Sequence, residues 1–313
     1  MYLNELLNKH LLSGSKLKTK RFPAFYPSSA SCLSAEDNRT VVGACLRQLY
    51  YRYKGYPESN PPGLYSQWIF AAGNTWEDFL TNKLKEMGIW LANSVKFVNH
   101  DLYMSGEIDI LIKGPDYNEE TGTGKWIVEN KTFGSNNYSM KKGICGSRDQ
   151  SPKPKDMNVL QSFIYLLTFE EQVELVVLNY IDRACGGPEN NKEFHITLHH
   201  EDDDIFPHIE TTDFYGNPYR YIDRRISFKS IKSRFEVLIE HLKNEDLPYP
   251  DFQHTYTPEQ VEANNTAGLI AKTKYEAYNR NPTKNPIGDW NCSNIYCNFS
   301  DLCKAQKLKD GHL

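Results

Sequence analysis

The pattern of hydrophobic and polar positions predicts strands in three short runs near the middle of the chain, at SVKFVNHDLYM, at the residues around Ile108, which alternate with period two, and at the apolar residues before Glu129. In the second run Ile108, Ile110 and Ile112 alternate with Asp109, Leu111 and Lys113. In the third, Trp126-Ile127-Val128 runs directly into Glu129-Asn130-Lys131. A polar, Gly-rich stretch separates them, so the two read as a hairpin. Alternation puts Glu129 and Lys131 on one face and Asn130 on the other. Pairing would then bring Asp109 beside the Glu/Lys pair. Two carboxylates and a lysine on one rim suit a hard divalent cation with a water beside it; an acid-x-lysine strand end is also common as a solvated ion pair.

Helical periodicity marks other segments. VVGACLRQLYYRYKGY has Val42, Cys45, Leu46 and Leu49 at helical spacing, with Arg47, Tyr50, Arg52 and Lys54 interleaved. LYSQWIFAAGNTWEDFLTNKLKEMG predicts a long helix with Trp68, Ile69, Ala72, Trp76, Phe79 and Leu80 along one face and Gly88 closing it. Further helices are expected at MNVLQSFIYLLTFEE, from PYRYIDRR to HLKN, and from Thr257, as N-cap before Pro258, to NR. Strands are expected at VELVVLNYI and EFHITLHH, with the acidic EDDD as a solvated turn. RFPAFYPSSASCLSAEDN reads as a loop, and the N-terminus as an amphipathic helix ending near Ser13-Gly14. The stretch 134–158 shows weak periodicity and carries Lys141, Lys142, Arg148, Lys153 and Lys155 against Asp149 and Asp156. It reads as a long basic loop, either solvated or in contact with phosphate.

A chain of 313 residues, 39% hydrophobic and 13% aromatic, can bury a full core. Its net charge of −4 excludes a globally basic nucleic-acid binder but not a local basic groove. No apolar run reaches the ~18 residues a membrane span needs. Seven cysteines are too few for a disulfide scaffold, and three of them fall close together near the C-terminus, which favours metal or cluster ligation.

Asp109, the Glu129-x-Lys131 strand end and a following helix with Gln161-Ser-Phe-Ile-Tyr165 together resemble the PD-(D/E)xK nuclease superfamily, in particular its RecB-like branch. Ile108 stands where the superfamily's name has proline, but Gly106-Glu-Ile-Asp109 matches the GxxD form of that branch. The resemblance covers about Leu64 to Tyr180. It implies an α/β fold with a mixed central sheet flanked by helices. It also implies a Mg²⁺ or Mn²⁺ site formed by Glu77 (from Gly73-Asn-Thr-Trp-Glu77), Asp109, Glu129 and the Asn130 carbonyl. Lys131 would act at the attacking water and Gln161 near the metal or phosphate, while Tyr165 would pack against the strand or stack on a base. Cys292, Cys297 and Cys303 with Cys45 resemble the cysteine set of iron–sulfur RecB-like nucleases, such as the AddB nuclease domain and the CRISPR spacer-acquisition nuclease. That set implies a 4Fe–4S cluster, with Zn²⁺ as the alternative, clamping the N- and C-terminal segments; by analogy with disulfide loop closure such a clamp contributes about 5 kcal/mol. Cys32 is the reserve ligand, with Cys145 and Cys185 as bystanders.

The expected organisation is an N-terminal helical segment (1–63), a nuclease core (64–215) and a C-terminal helical segment (216–313). The expected activity is metal-dependent cleavage of DNA, single-stranded or at ends, in recombination, repair or phage DNA processing, in the cytoplasm of a bacterial or phage-infected cell. Arg47, Arg52, Lys54, Lys141, Lys142 and Tyr165 are the expected DNA contacts. The rival readings are a non-cleaving DNA-binding or assembly subunit that keeps the cluster, and a zinc-stapled enzyme of other chemistry. Oligomeric state is not legible.

Overall fold

A computed structural model describes residues 7, 8, 10, 25–134, 138–183, 191–294 and 296–309. The expected N-terminal helix, apart from Leu7, Asn8 and His10, and Cys185 lie outside them. The chain divides into two compact units, each discontinuous: residues 1–44 with 64–240, and residues 45–63 with 241–313. The three consecutive segments read from the sequence are thus replaced by two interleaved ones, and residues 216–240 join the unit that holds the sheet.

The first unit is built on a seven-stranded mixed sheet in the order β3-β4-β5-β6-β7-β8-β9. The strands are β3 (Trp90–Asn99), β4 (Met104–Lys113), β5 (Lys125–Phe133), β6 (Val173–Asp182), β7 (Lys192–Glu201), β8 (Asp204–Thr212) and β9 (Pro218–Ile222). All neighbours are antiparallel except β5 and β6. That parallel pair requires a crossover, and the connection contains helix α4 (Asp156–Thr168). The fold is therefore α/β with a mixed sheet flanked by helices, as the sequence predicts. A smaller pair, β1 (Ser31–Leu33) and β2 (Val41–Gly43), is antiparallel.

The hairpin of β4 and β5 pairs Ile110 with Val128 and Ile112 with Trp126. Ile110, Ile112, Val128, Leu175 and Val177 form one apolar face and meet Leu84 and Leu80 of helix α2 (Leu64–Glu86). Residues one position out of step, Val176, Leu178 and Tyr180, belong to the opposite face. There Tyr180 Oη accepts from the Lys155 N–H at 3.0 Å and from Asn158 Nδ2 at 2.7 Å, fixing the start of α4 over the sheet. Arg225 fixes the same end. Its guanidinium donates to both oxygens of Asp156, at 2.8 and 3.2 Å, and to both of Asp223, at 2.7 and 2.9 Å.

Several sequence expectations are corrected. The helix read from Val41 begins only at Leu46 (α1, Leu46–Lys54), because Val41–Gly43 pairs with Ser31–Leu33 inside the supposed loop. The basic loop contains helix α3 (Tyr138–Cys145). Residues 218–222, read as helix, form β9, and helix α5 runs from Phe228 to Asn244. The helix capped by Thr257 has the expected Pro at its start and a capping box with Gln260, but it ends at Thr266 (α6, Pro258–Thr266). Gly268 then takes a left-handed φ of 71°, and α7 (Lys272–Arg280) and α8 (Ser300–Lys309) follow. The expected apolar face of α2 is not buried along its length. Only Thr81 and Leu84 are buried, and Trp68 and Phe79 are exposed by 42% and 52%.

Gly43 closes the small β-pair with φ 97°, and a Cβ there would stand 2.3 Å from the Ala30 carbonyl oxygen and 2.7 Å from Leu160 Cδ1. Gly88 has φ 72° with open space around it. Gly43→Ala is therefore expected to cost on the order of 3 kcal/mol, from backbone strain plus overpacking, and Gly88→Ala about 1 kcal/mol. Denaturant unfolding of the two variants checks this; equal losses would contradict the steric account.

Candidate functional site

The β4–β5 ladder ends at Ile110–Val128. Asp109 and Glu129 are the next residues on each strand, on the face opposite the Ile110 core, as the sequence alternation requires. Glu129 is fully buried. Its Oε1 accepts from Gln161 Nε2 of α4 at 2.9 Å and forms an ion pair with Lys131 Nζ. Its Oε2 is buried and has no hydrogen-bond partner. The Asn130 side chain points the other way and accepts from Asn179 Nδ2 of β6 at 3.2 Å.

Gln161 also approaches Tyr165 Oη at 2.6 Å, and that hydroxyl donates to the Glu107 carbonyl at 3.2 Å. A chain of polar groups thus runs from β4 through α4 to the Glu129 carboxylate. Tyr165 is 2% exposed and packs edge-on against Phe97 at 5.6 Å. It is a support in the core and is closed to a nucleic-acid base, so its reading as a stacking contact is corrected.

Burial and mutual repulsion shape the charges here. Burial pushes Glu129 from the usual 4.5 to about 7, against the pull of Lys131 and with the Asp109 charge adding to the rise. Asp109 is raised by burial, although Lys131 and the Asn130 N–H favour its anion. Glu77 on α2 is raised by partial burial and then by the Asp109 charge. Burial works against the Lys131 ammonium, but Glu129, Asp109 and Glu77 outweigh it and raise Lys131. Lys155 is lowered by burial and by the Lys131 charge. The charges of Glu77, Asp109, Glu129 and Lys131 therefore act on one another, and Gln161 joins them through its hydrogen bond to Glu129. Lys155, seen in the sequence only as one charge in a basic loop, joins them because Tyr180 holds its backbone.

The second unit contains the cysteines. Cys45, Cys292, Cys297 and Cys303 line one small cavity of about 20 Å³, together with Arg47 and His254. Burial pushes Cys292 to about 12, and the other three thiols add to the rise; burial likewise pushes Cys45 to about 11. Cys45 is the N-cap residue of α1, and the following Leu46 N–H donates to Asp251 Oδ2 at 2.6 Å. Cys32 lies in the first unit, where its thiol faces the Arg225 carbonyl at 4.0 Å. Among the described residues, no three His, Cys, Asp or Glu side chains are grouped tightly enough to hold a metal ion, either here or at the acids of the first unit.

The expected nucleic-acid contacts divide. Arg47 is 5% exposed and donates to the Pro248 carbonyl at 2.6 Å and to Cys303 Sγ at 3.9 Å, so it belongs to the cysteine cavity and is corrected as a DNA contact. Arg52 is half-buried, and its charge acts on Cys297. Lys54 pairs with Glu245 at 3.1 Å. Lys141 and Lys142, on α3, line a cleft of about 990 Å³ at one end of the sheet.

Among the described residues, no helix is long and apolar enough to cross a membrane. No protein-family model, curated protein or solved structure matches this chain.

A raised carboxyl group favours the fold in its protonated form. The stability Glu129 contributes is thus full below 4.5 and is lost as pH rises through about 7. Glu129→Gln stays neutral throughout. In chelator-treated protein the melting temperature of Glu129→Gln relative to wild type should climb between pH 5 and 8; a constant difference would contradict the raised carboxyl.

Proposed function

We infer that this chain is a metal-dependent DNA nuclease of the PD-(D/E)xK type. The observation that carries the reading is the fully buried Glu129 carboxylate: one oxygen is held by Gln161 and Lys131, and the other is left unpartnered. A buried anionic oxygen without a donor is costly unless a cation or proton meets it. Asp109 beside it and Glu77 on α2 complete an all-oxygen donor set suited to Mg²⁺ or Mn²⁺, with the Asn130 carbonyl as a further candidate. When bound, such an ion neutralises charge at the scissile phosphate and lowers the pKa of the attacking water.

The protein groups have separable tasks. Lys131 keeps its proton, holds Glu129 in place and presents positive charge to the phosphate and its attacking water. Gln161 fixes the Glu129 rotamer, and Tyr165 fixes Gln161 from below. Lys155 brings a second ammonium to the same place.

The cavity in the second unit supports the cluster reading of the cysteines. Four thiols around one cavity, with a buried guanidinium among them, suit an anionic thiolate centre. The 4Fe–4S cluster is the reading that the cysteine resemblance implies, with Zn²⁺ as the alternative, and Cys45, Cys292, Cys297 and Cys303 would hold either.

With end-labelled linear and circular DNA and Mg²⁺ or Mn²⁺, wild-type protein should cleave. Asp109→Ala and Glu129→Ala should each lower the rate by more than about 10³-fold with the fold intact. Lys131→Ala should reduce turnover by roughly 10²-fold while DNA affinity changes little. Wild-type rates in either acid variant would sink the assignment, and a Lys131 effect confined to affinity would make it a simple phosphate contact.

Protein purified without oxygen should carry iron and a broad visible absorption. Cys45→Ser, Cys292→Ser, Cys297→Ser and Cys303→Ser should each lose iron and melting temperature, and Cys145→Ser should lose neither. Zinc in place of iron would move the reading to the structural-zinc alternative.

A further inference from the structure

The cleft at the end of the sheet is separate from the acid site but connected to it by the strand register. Lys131 on β5 pairs with Tyr180 on β6, and Tyr180 pairs with Lys192 on β7. Paired residues share a face, and strands lie about 4.8 Å apart, so the Lys192 backbone stands about 10 Å along the sheet from Lys131. Lys155, whose N–H donates to Tyr180 Oη, marks the position between them. Lys141 and Lys142 line the cleft, and so does Phe214, in the turn after β8. Lys131, Lys155 and Lys192 therefore mark the way from the candidate cleavage site to a cleft of about 990 Å³, at the top of the size range for small-ligand sites, where the Lys192 ammonium is held by the Thr212 carbonyl and hydroxyl and Lys141 and Lys142 supply the remaining positive charge.

Acids also line this cleft, and each is engaged within the fold. Glu193 pairs with His195. Asp213 accepts from the backbone N–H groups of Tyr215 and Asn217, both at 2.8 Å, and from Asn217 Nδ2 at 3.0 Å. Glu210 lies 3.7 Å from His208 Nε2. Lys142, by contrast, has no ion-pair partner among the described residues. Phe214 is 52% exposed and Tyr215 67%, and the two rings meet edge to face with centroids 5.4 Å apart. The exposed Phe214 ring, in a cleft that lysines also line, matches what an unpaired nucleotide offers: a flat apolar base beside a phosphate. A duplex hides its base faces and has no use for such a platform.

We propose that this cleft binds single-stranded DNA, with phosphates at Lys141 and Lys142 and a base stacked on Phe214, and that it leads the strand to Asp109 and Glu129. The direction of travel rests on the nuclease reading; binding in the cleft does not.

The test uses chelator-treated full-length protein, so that nothing is cut. Fluorescence anisotropy is measured with labelled oligo(dT) and with a blunt duplex of the same length. The oligo(dT) should bind more tightly, and Phe214→Ala and Lys142→Glu should each weaken it about fivefold or more while circular dichroism stays unchanged. Photocrosslinking of 5-iodouracil DNA to unmutated protein should label the Phe214–Tyr215 peptide, a readout that needs no variant to fold. Unchanged binding in both variants, a preference for duplex, or crosslinks confined elsewhere would each overturn the cleft, even if Asp109 and Glu129 prove to cleave DNA. Single-strand binding that depends on Phe214 and Lys142, in a protein that cuts nothing with either metal, would keep the cleft and remove the nuclease reading.

Discussion

A carboxylate held in a fully buried position is the constraint around which the first unit is arranged. Taking the Glu129 charge out of water is expensive, and Lys131 and Gln161 offset that cost at only one of its two oxygens. Gln161 is useful only if α4 stays in place over β5. The Arg225 fork on Asp156 and Asp223 and the Tyr180 hydroxyl at Lys155 and Asn158 hold the start of that helix. Loosening either anchor would move the amide that orients the carboxylate. The polar groups of this face act as one network, and each member matters chiefly through the next.

The parallel join of β5 and β6 gives that network its economy. The strand with Glu129 and Lys131 leads, within one crossover, to the helix with Gln161 and Tyr165 and then to the strand with Tyr180. The acid, its amide clamp and the hydroxyl beneath the helix start all come from one continuous stretch. Asp109 arrives from the hairpin partner at the point where the β4–β5 ladder stops, while β4 itself stays paired with β3.

Much of this was legible because the chemistry interrupts a pattern. Asp109 and Glu129 stand out as acids in runs that otherwise read as strands, and Gln161 and Tyr165 share one helical face four residues apart. What periodicity cannot say is what packs against a residue. Tyr165 and Arg47 looked available for DNA, yet one lies under Phe97 and the other among thiols. Strands of three residues, such as β1 and β2, are too short to show a period. Lys155 and Arg225 gain their roles from contacts 25 and 69 residues distant in sequence, which no local pattern records.

The second unit takes its residues from two distant parts of the chain, 45–63 and 241–313, whereas the first needs nothing beyond residue 240. During synthesis the sheet and its acids can therefore be finished while Cys45 still waits for the other three cysteines. At 5–20 residues per second, the roughly 250 residues between them correspond to about 12–50 s of translation. For the last 50 or so of those residues, roughly 3–10 s, the first unit is complete in sequence while the thiol at the cap of α1 still has no cavity to enter. Ribosome pausing before residue 292 would lengthen the exposure of that thiol without affecting the acids.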